Sequence, residues 1–256
     1  MTPRPAESAA TAPIPQYRLH TILGIWAAAA VPMALLAWVV APAVADHLPG
    51  PSPMARALLL ALTAGLVWQF VLVAVLVHRE CGTWRWSAVR RALWLVAPTS
   101  PRTGRSGGRV WWMLVPFAAV FALEEFLPAI PPVAGHDLPA FLDSPDGTAL
   151  LGGSWGWFAV IVALAVFNTV LGEELLFRGL LLPRMNGVFG RFDWVANGVL
   201  FGAYHLHMPW AIPTAMLDTI ALAYPSRRYQ SAWMGIIIHS AQSVVIVVAT
   251  VAVVLR

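Results

Sequence analysis

The residues best suited to chemistry stand in four places along the 256-residue chain. They are Glu173-Glu174-Leu175-Leu176-Phe177-Arg178, His205 with His207, Asp218, and His239. Glu174 precedes Arg178 by four residues, the favourable order for an ion pair on one helical face, and Glu173 points about 100° away. One carboxylate can thus be neutralised and the other left free, and a free carboxylate in an apolar setting suits a general base working near neutral pH. The same three residues would also serve as a charge cluster at a helix end. His205 and His239, each equally at home as a structural histidine, together with Glu173 place one carboxylate and two imidazoles on three separate segments. Such a set can activate water directly, or bind a divalent metal such as zinc that does so. His207, two residues from His205, is expected on the opposite side and structural. Asp218 is expected to hydrogen-bond a neighbouring helix or support the site, and Glu124-Glu125 to end a helix at the outer face.

What must hold these groups is apolar. The chain is 59% hydrophobic and 11% charged, against roughly a quarter charged in soluble domains. That excludes a soluble globule, and 13 tryptophans among long apolar blocks exclude disorder, collagen and a coiled coil. A single cysteine, Cys81, removes intramolecular disulfides and thiolate zinc sites. The sixteen basic residues are all arginine and flank apolar segments, so they read as topology signals, and no nucleic-acid partner is expected. Charged groups inside a bilayer cost on the order of 3 kcal/mol each, which makes the four places above functional candidates.

Hydropathy predicts an all-α, polytopic membrane bundle of about seven transmembrane helices. The spans fall near 21–44, 54–77, 110–130, 149–171, 194–208, 210–224 and 232–255, and an interfacial amphipathic helix covers 83–97. Residues 1–20 are expected to be a disordered cytoplasmic tail, 21–148 the first helices with a basic cytoplasmic loop, and 149–256 a catalytic core. Arginines concentrate between the second and third spans, whereas the loop with His136, Asp137, Asp143 and Asp146 has none. This asymmetry predicts a multi-pass protein of the cell inner (plasma) membrane with its N-terminus cytoplasmic. In this map His205 comes late in its span, so meeting Glu173 and His239 requires the fifth helix to be short, tilted or shifted.

With these residues in place the sequence resembles the CPBP family of intramembrane proteases, which includes the CAAX prenyl proteases and bacterial Abi or bacteriocin-processing proteins. Over about residues 150–250 it carries EExxxR at Glu173–Arg178, continuing Gly179-Leu180-Leu181, then FxxxH at Phe201–His205, and His239 followed four residues later by Ser243. The family has Asn or Asp at that last position, and serine reaches less far. The resemblance implies an intramembrane endopeptidase acting on a peptide or protein at the membrane. Glu173 and His205 would activate water, Glu174 and Arg178 would order the site, and His239, with Ser243 in the Asn/Asp position, would stabilise the oxyanion. A metal held by Glu173, His205 and His239 and a metal-free glutamate mechanism both fit the family. Two other classes fit the same composition: a non-catalytic membrane scaffold of this fold, and a small proton-coupled transporter relaying through Glu173, His205 and Asp218.

Overall fold

The computed structural model describes residues 13–128 and 130–255. It is 77% helical, with one isolated bridge, Thr99 to Ser106, as the only β pairing among the described residues. Four helices among them are long and apolar enough to cross a membrane: α1 (Leu19–Ala45), α2 (Pro53–Cys81), α5 (Trp155–Arg184) and α7 (Trp233–Val254). Between these lie shorter helices, α3 (Trp86–Ala92), α4 (Leu114–Phe121) and α6 (Asp193–Tyr204).

The structure therefore gives four full-length helices where hydropathy predicted seven. The expected third span is α4 flanked by 3-10 turns at Gly108–Met113 and Ala122–Phe126. α6 has 12 residues, about 18 Å at 1.5 Å per residue, well short of a roughly 30 Å hydrocarbon layer. The expected sixth span breaks into a 3-10 turn at Pro209–Ala211, a short helix at Ile212–Ala215 and a π turn at Thr219–Ala223. Pro209 and Pro213 each remove a backbone donor there. The amphipathic helix expected over 83–97 is confined to the seven residues of α3. Trp94, at φ 50°, turns the chain away from it, and Trp94 O accepts from Ala232 N at 2.9 Å.

Packing explains how α1 tolerates its own proline. Pro32 has no N–H to donate, which frees the carbonyl of Ala28, and the indole Nε1 of Trp68 on α2 donates to that oxygen at 2.8 Å. Near this point Gly65 of α2 admits Met33, whose Sδ would lie 2.7 Å from any added Cβ. Trp26 and Trp38 of α1 donate to Leu200 O and Leu206 O, each at 2.8 Å, and so tie α1 to α6 and the turn after it. The main core is built from α1, α2, α5, α6 and α7, with Met33, Leu66, Leu176, Phe177, Phe201 and Ile236 among its buried members.

The cytoplasmic tail was expected to run to residue 20. Residues 1–12 lie outside the described residues, but from Gln16 onward the chain is docked. Gln16 Nε2 donates to Pro183 O at 3.0 Å and Tyr17 N to Arg184 O at 2.9 Å, so helix α1 begins already at Leu19. Arg184 is buried and grips Glu80 through Nε (3.1 and 3.0 Å) and Nη2 (2.5 Å), while its Nη1 donates to Ala92 O and Leu180 O. Tyr17 donates its hydroxyl to Glu80 as well. Burial, and then this bond to a carboxylate, push the Tyr17 phenol above its ordinary range, so it stays a neutral donor. The ends of α2 and α5 and the start of α1 are thereby fastened at one charged knot.

Candidate active site

Helix α5 does not keep α-helical winding through its charged motif. A π turn covers Phe167–Gly172 and another Leu175–Leu181, with Glu173 and Glu174 between them. π turns are rare and concentrate at functional sites. Despite them, the expected i,i+4 pair is made: Arg178 Nη1 lies 3.1 Å from Glu174 Oε1, and neither side chain is exposed at all. The same Glu174 oxygen is 3.1 Å from His239 Nδ1. An ionised carboxylate only accepts, so this geometry puts the Nδ1 proton on His239 and leaves Nε2 outside that bond.

Glu174 has this room because α7 carries a glycine beside it. A Cβ at Gly235 would strike Glu174 Oε2 and sit 3.1 Å from Ser226 Oγ and 3.2 Å from Arg178 Cγ. Alanine normally favours a helix over glycine by about 1 kcal/mol. Gly235→Ala is expected to do the opposite here and lower stability by about 1–3 kcal/mol, as overpacking does, with a falling thermal unfolding midpoint in detergent as the check.

Phe201 joins the motifs physically. The Arg178 guanidinium lies 4.0 Å from its ring centroid, a cation–π contact. His205 meets the ring edge-on at 5.0 Å and His239 at 6.2 Å. The shortness of α6 is what lets His205 reach this level, since the helix ends at Tyr204 and His205 opens a 3-10 turn. His205 Nδ1 is 3.0 Å from Phe201 O. A carbonyl only accepts, so Nδ1 carries the proton and Nε2 is a free acceptor. The 3-10 turn also overturns the expectation for His207. It stacks on His205 at 5.5 Å and packs on Tyr204, and does not point to the far side.

Glu173, nearly buried, is not part of the Glu174–Arg178 pair. The amide nitrogen of Asn168, in the orientation its neighbours require, donates to Glu173 Oε1 at 2.9 Å. The Tyr204 phenol reaches Glu173 too, and is itself held by Gln69 Nε2 of α2 at 2.5 Å. Asn168, Tyr204 and Gln69 were not singled out from sequence. A signal existed for Gln69, a lone amide within the apolar run of α2. Tyr204→Phe takes a hydroxyl away from the Glu173 carboxylate and from Gln69, and is expected to lower any turnover that depends on Glu173 about tenfold with KM unchanged, the mark of a positioning residue.

Ser243 lies one turn beyond His239 and is nearly buried. Asp218 is buried and its carboxyl meets that of Glu124 from the segment after α4, so it does bond a neighbouring element. Glu124 does lie in the last helical turn, Ala122–Phe126, and there it also faces Asp218. The side chain of Glu125 lies outside the described residues. Among the described residues no three His, Cys, Asp or Glu side chains gather as metal ligands would. The Nδ1 atoms of His205 and His239 are already engaged, and Phe201 packs against both rings.

Residues 155–245, a little over a third of the chain, match the family model described as Rce1-like, type II CAAX prenyl endopeptidase. The match begins with α5 and ends within α7, and so contains the residues of the cluster except Gln69 and Glu124. No curated protein and no solved structure matches the chain.

Proposed function

We propose, from the premise that the Rce1-like match over residues 155–245 supports assigning this chain to the CPBP/CAAX protease family, that it is an intramembrane endopeptidase whose base is Glu173. The chain is multi-pass by its apolar helices and the family suggests a protease acting on a peptide or protein at the membrane. The observation that carries the reading further is the division of labour between adjacent carboxylates. Glu174 is consumed by Arg178 and His239, whereas Glu173 makes no ion pair among the described residues, is held by neutral donors and keeps lone pairs for a water.

In this mechanism a water bridges Glu173 and the free Nε2 of His205. Glu173 takes its proton as the oxygen attacks the scissile carbonyl, and later returns that proton to the leaving amine. The oxyanion is met by Nε2–H of His239 in its imidazolium form, with the Ser243 hydroxyl one turn away as a second donor. Glu174 and Arg178 fix the ring of His239 and the floor of the site. No step is routed through a metal. In this reading the protein is one of the inner membrane with its N-terminus cytoplasmic, which the arginine-rich 79–109 loop supports.

The test is cleavage by the purified full chain in detergent, using quenched fluorescent peptides with and without a C-terminal lipid, each with and without a strong chelator. Cleavage that survives the chelator supports the glutamate mechanism. Loss of cleavage restored by added zinc would overturn it. A protein that binds peptides and never cuts them would favour the scaffold.

A further inference from the structure

Away from the candidate active site, and independent of the peptidase reading, the chain builds an open cavity of about 390 Å³, lined among others by Arg191, Trp194, Tyr224, Arg227 and Arg228. Three guanidinium groups thus border one hollow, and their electrostatic circumstances differ. Arg227 Nε is neutralised by Asp193 Oδ2 at 2.5 Å. Asp193 in turn is fully engaged: it also accepts from Trp194 N at 2.8 Å and from Asn186 Nδ2 at 3.3 Å. Arg191 and Arg228 are exposed, and among the described residues neither pairs with an acid. The cavity therefore carries two uncompensated positive charges with no carboxylate free to compete for them.

Its walls are aromatic. Trp194 and Tyr224 meet edge to face at 5.0 Å, and Tyr224 packs on Phe117 of α4. Indole and phenol side chains favour the level of lipid head groups. Phe192, next to Arg191 and packed under its guanidinium at 4.8 Å, is 55% exposed. A phosphate ion from solution would have no use for that apolar surface, whereas a head group attached to acyl chains would cover it.

We propose that this cavity holds the phosphate group of an anionic phospholipid, with Arg191 and Arg228 as its charge partners and Trp194 and Tyr224 flanking the head group. Basic pockets on the cytoplasmic side of helix bundles bind anionic lipids by this chemistry. The site stands beside α4, whose Phe121 packs against His239 at 5.8 Å, so a bound lipid would border one wall of the active site.

The experiment is native mass spectrometry of the full chain in detergent, titrated with phosphatidylglycerol or with phosphatidylcholine. Wild type is expected to retain phosphatidylglycerol and release phosphatidylcholine. R191Q/R228Q should retain phosphatidylglycerol roughly thirtyfold more weakly, from two surface charges removed. R85Q/R90Q, which changes two exposed arginines at α3, should match wild type. Equal retention by R191Q/R228Q and wild type, or equal retention of the two lipids, would overturn the proposal. Inorganic phosphate in large excess serves as competitor: failure to displace the lipid supports a lipid site, and full displacement would make it a site for a free anion instead.

Discussion

Glu173→Gln is expected to lower kcat for peptide cleavage by about 10²–10⁴-fold, the usual range for removing a general base, while leaving the thermal unfolding midpoint where it was. The two halves of this result belong together. Glutamine has the shape of glutamate, and its carbonyl oxygen can still accept from Asn168 and Tyr204, so the packing around a nearly buried position survives. What disappears is the ability to take a proton from water. A variant with an unchanged midpoint and unchanged turnover would sink the assignment of the base to this residue. A chain that binds substrate as before and no longer cuts it separates an enzyme from a scaffold of the same fold.

Arg178→Met should act in the other direction, on stability more than on chemistry. Arg178 and Glu174 are both wholly buried, and each is the other's charge partner. Breaking such a pair from one side leaves a carboxylate in an apolar interior and costs about 3–5 kcal/mol. The guanidinium also gives up its place against Phe201, which would loosen the contact shared by His205 and His239. The double variant Glu174→Gln/Arg178→Met removes both charges and is expected to recover a good part of the lost stability, because the cost lies in the unpaired ion and not in the missing bond. Thermal unfolding of the three variants in detergent measures this. A double variant less stable than Arg178→Met alone would show that Glu174 is held mainly by other partners, His239 first among them.

The long helices were legible because apolar length is a local property, and α1, α2, α5 and α7 lie where hydropathy puts them. The count of seven was not, because average hydropathy is blind to breaks. The segments around Pro116, Pro209 and Pro213 are as apolar as their neighbours, yet they fold into short helices and 3-10 or π turns packed on the rest. In the site, the Glu174–Arg178 pair could be read from spacing because it is made within one helix. Gln69 could not, since its partner Tyr204 is 135 residues away, and the approach of Asn168 to Glu173, five residues along, follows from a wide turn that the amino-acid types do not announce. His207 shows the same limit at small scale: an assumption of ordinary helix geometry sends it away from His205, and the tighter turn stacks the two rings.

The two wide turns in α5 make the motif a matter of arithmetic as well as of residue type. A π turn spends one more residue than an α turn to travel the same way around the axis, so each behaves as a single-residue insertion absorbed into the helix. Relaxing Phe167–Gly172 to ordinary winding with every residue kept would swing Glu173 and all that follows by about 100°. Every letter of EExxxR would still be present, and the glutamates would face the wrong helix. Chains that share the motif need therefore share the site only where helix length and winding match, either this length with the wide turn or one residue fewer with ordinary winding.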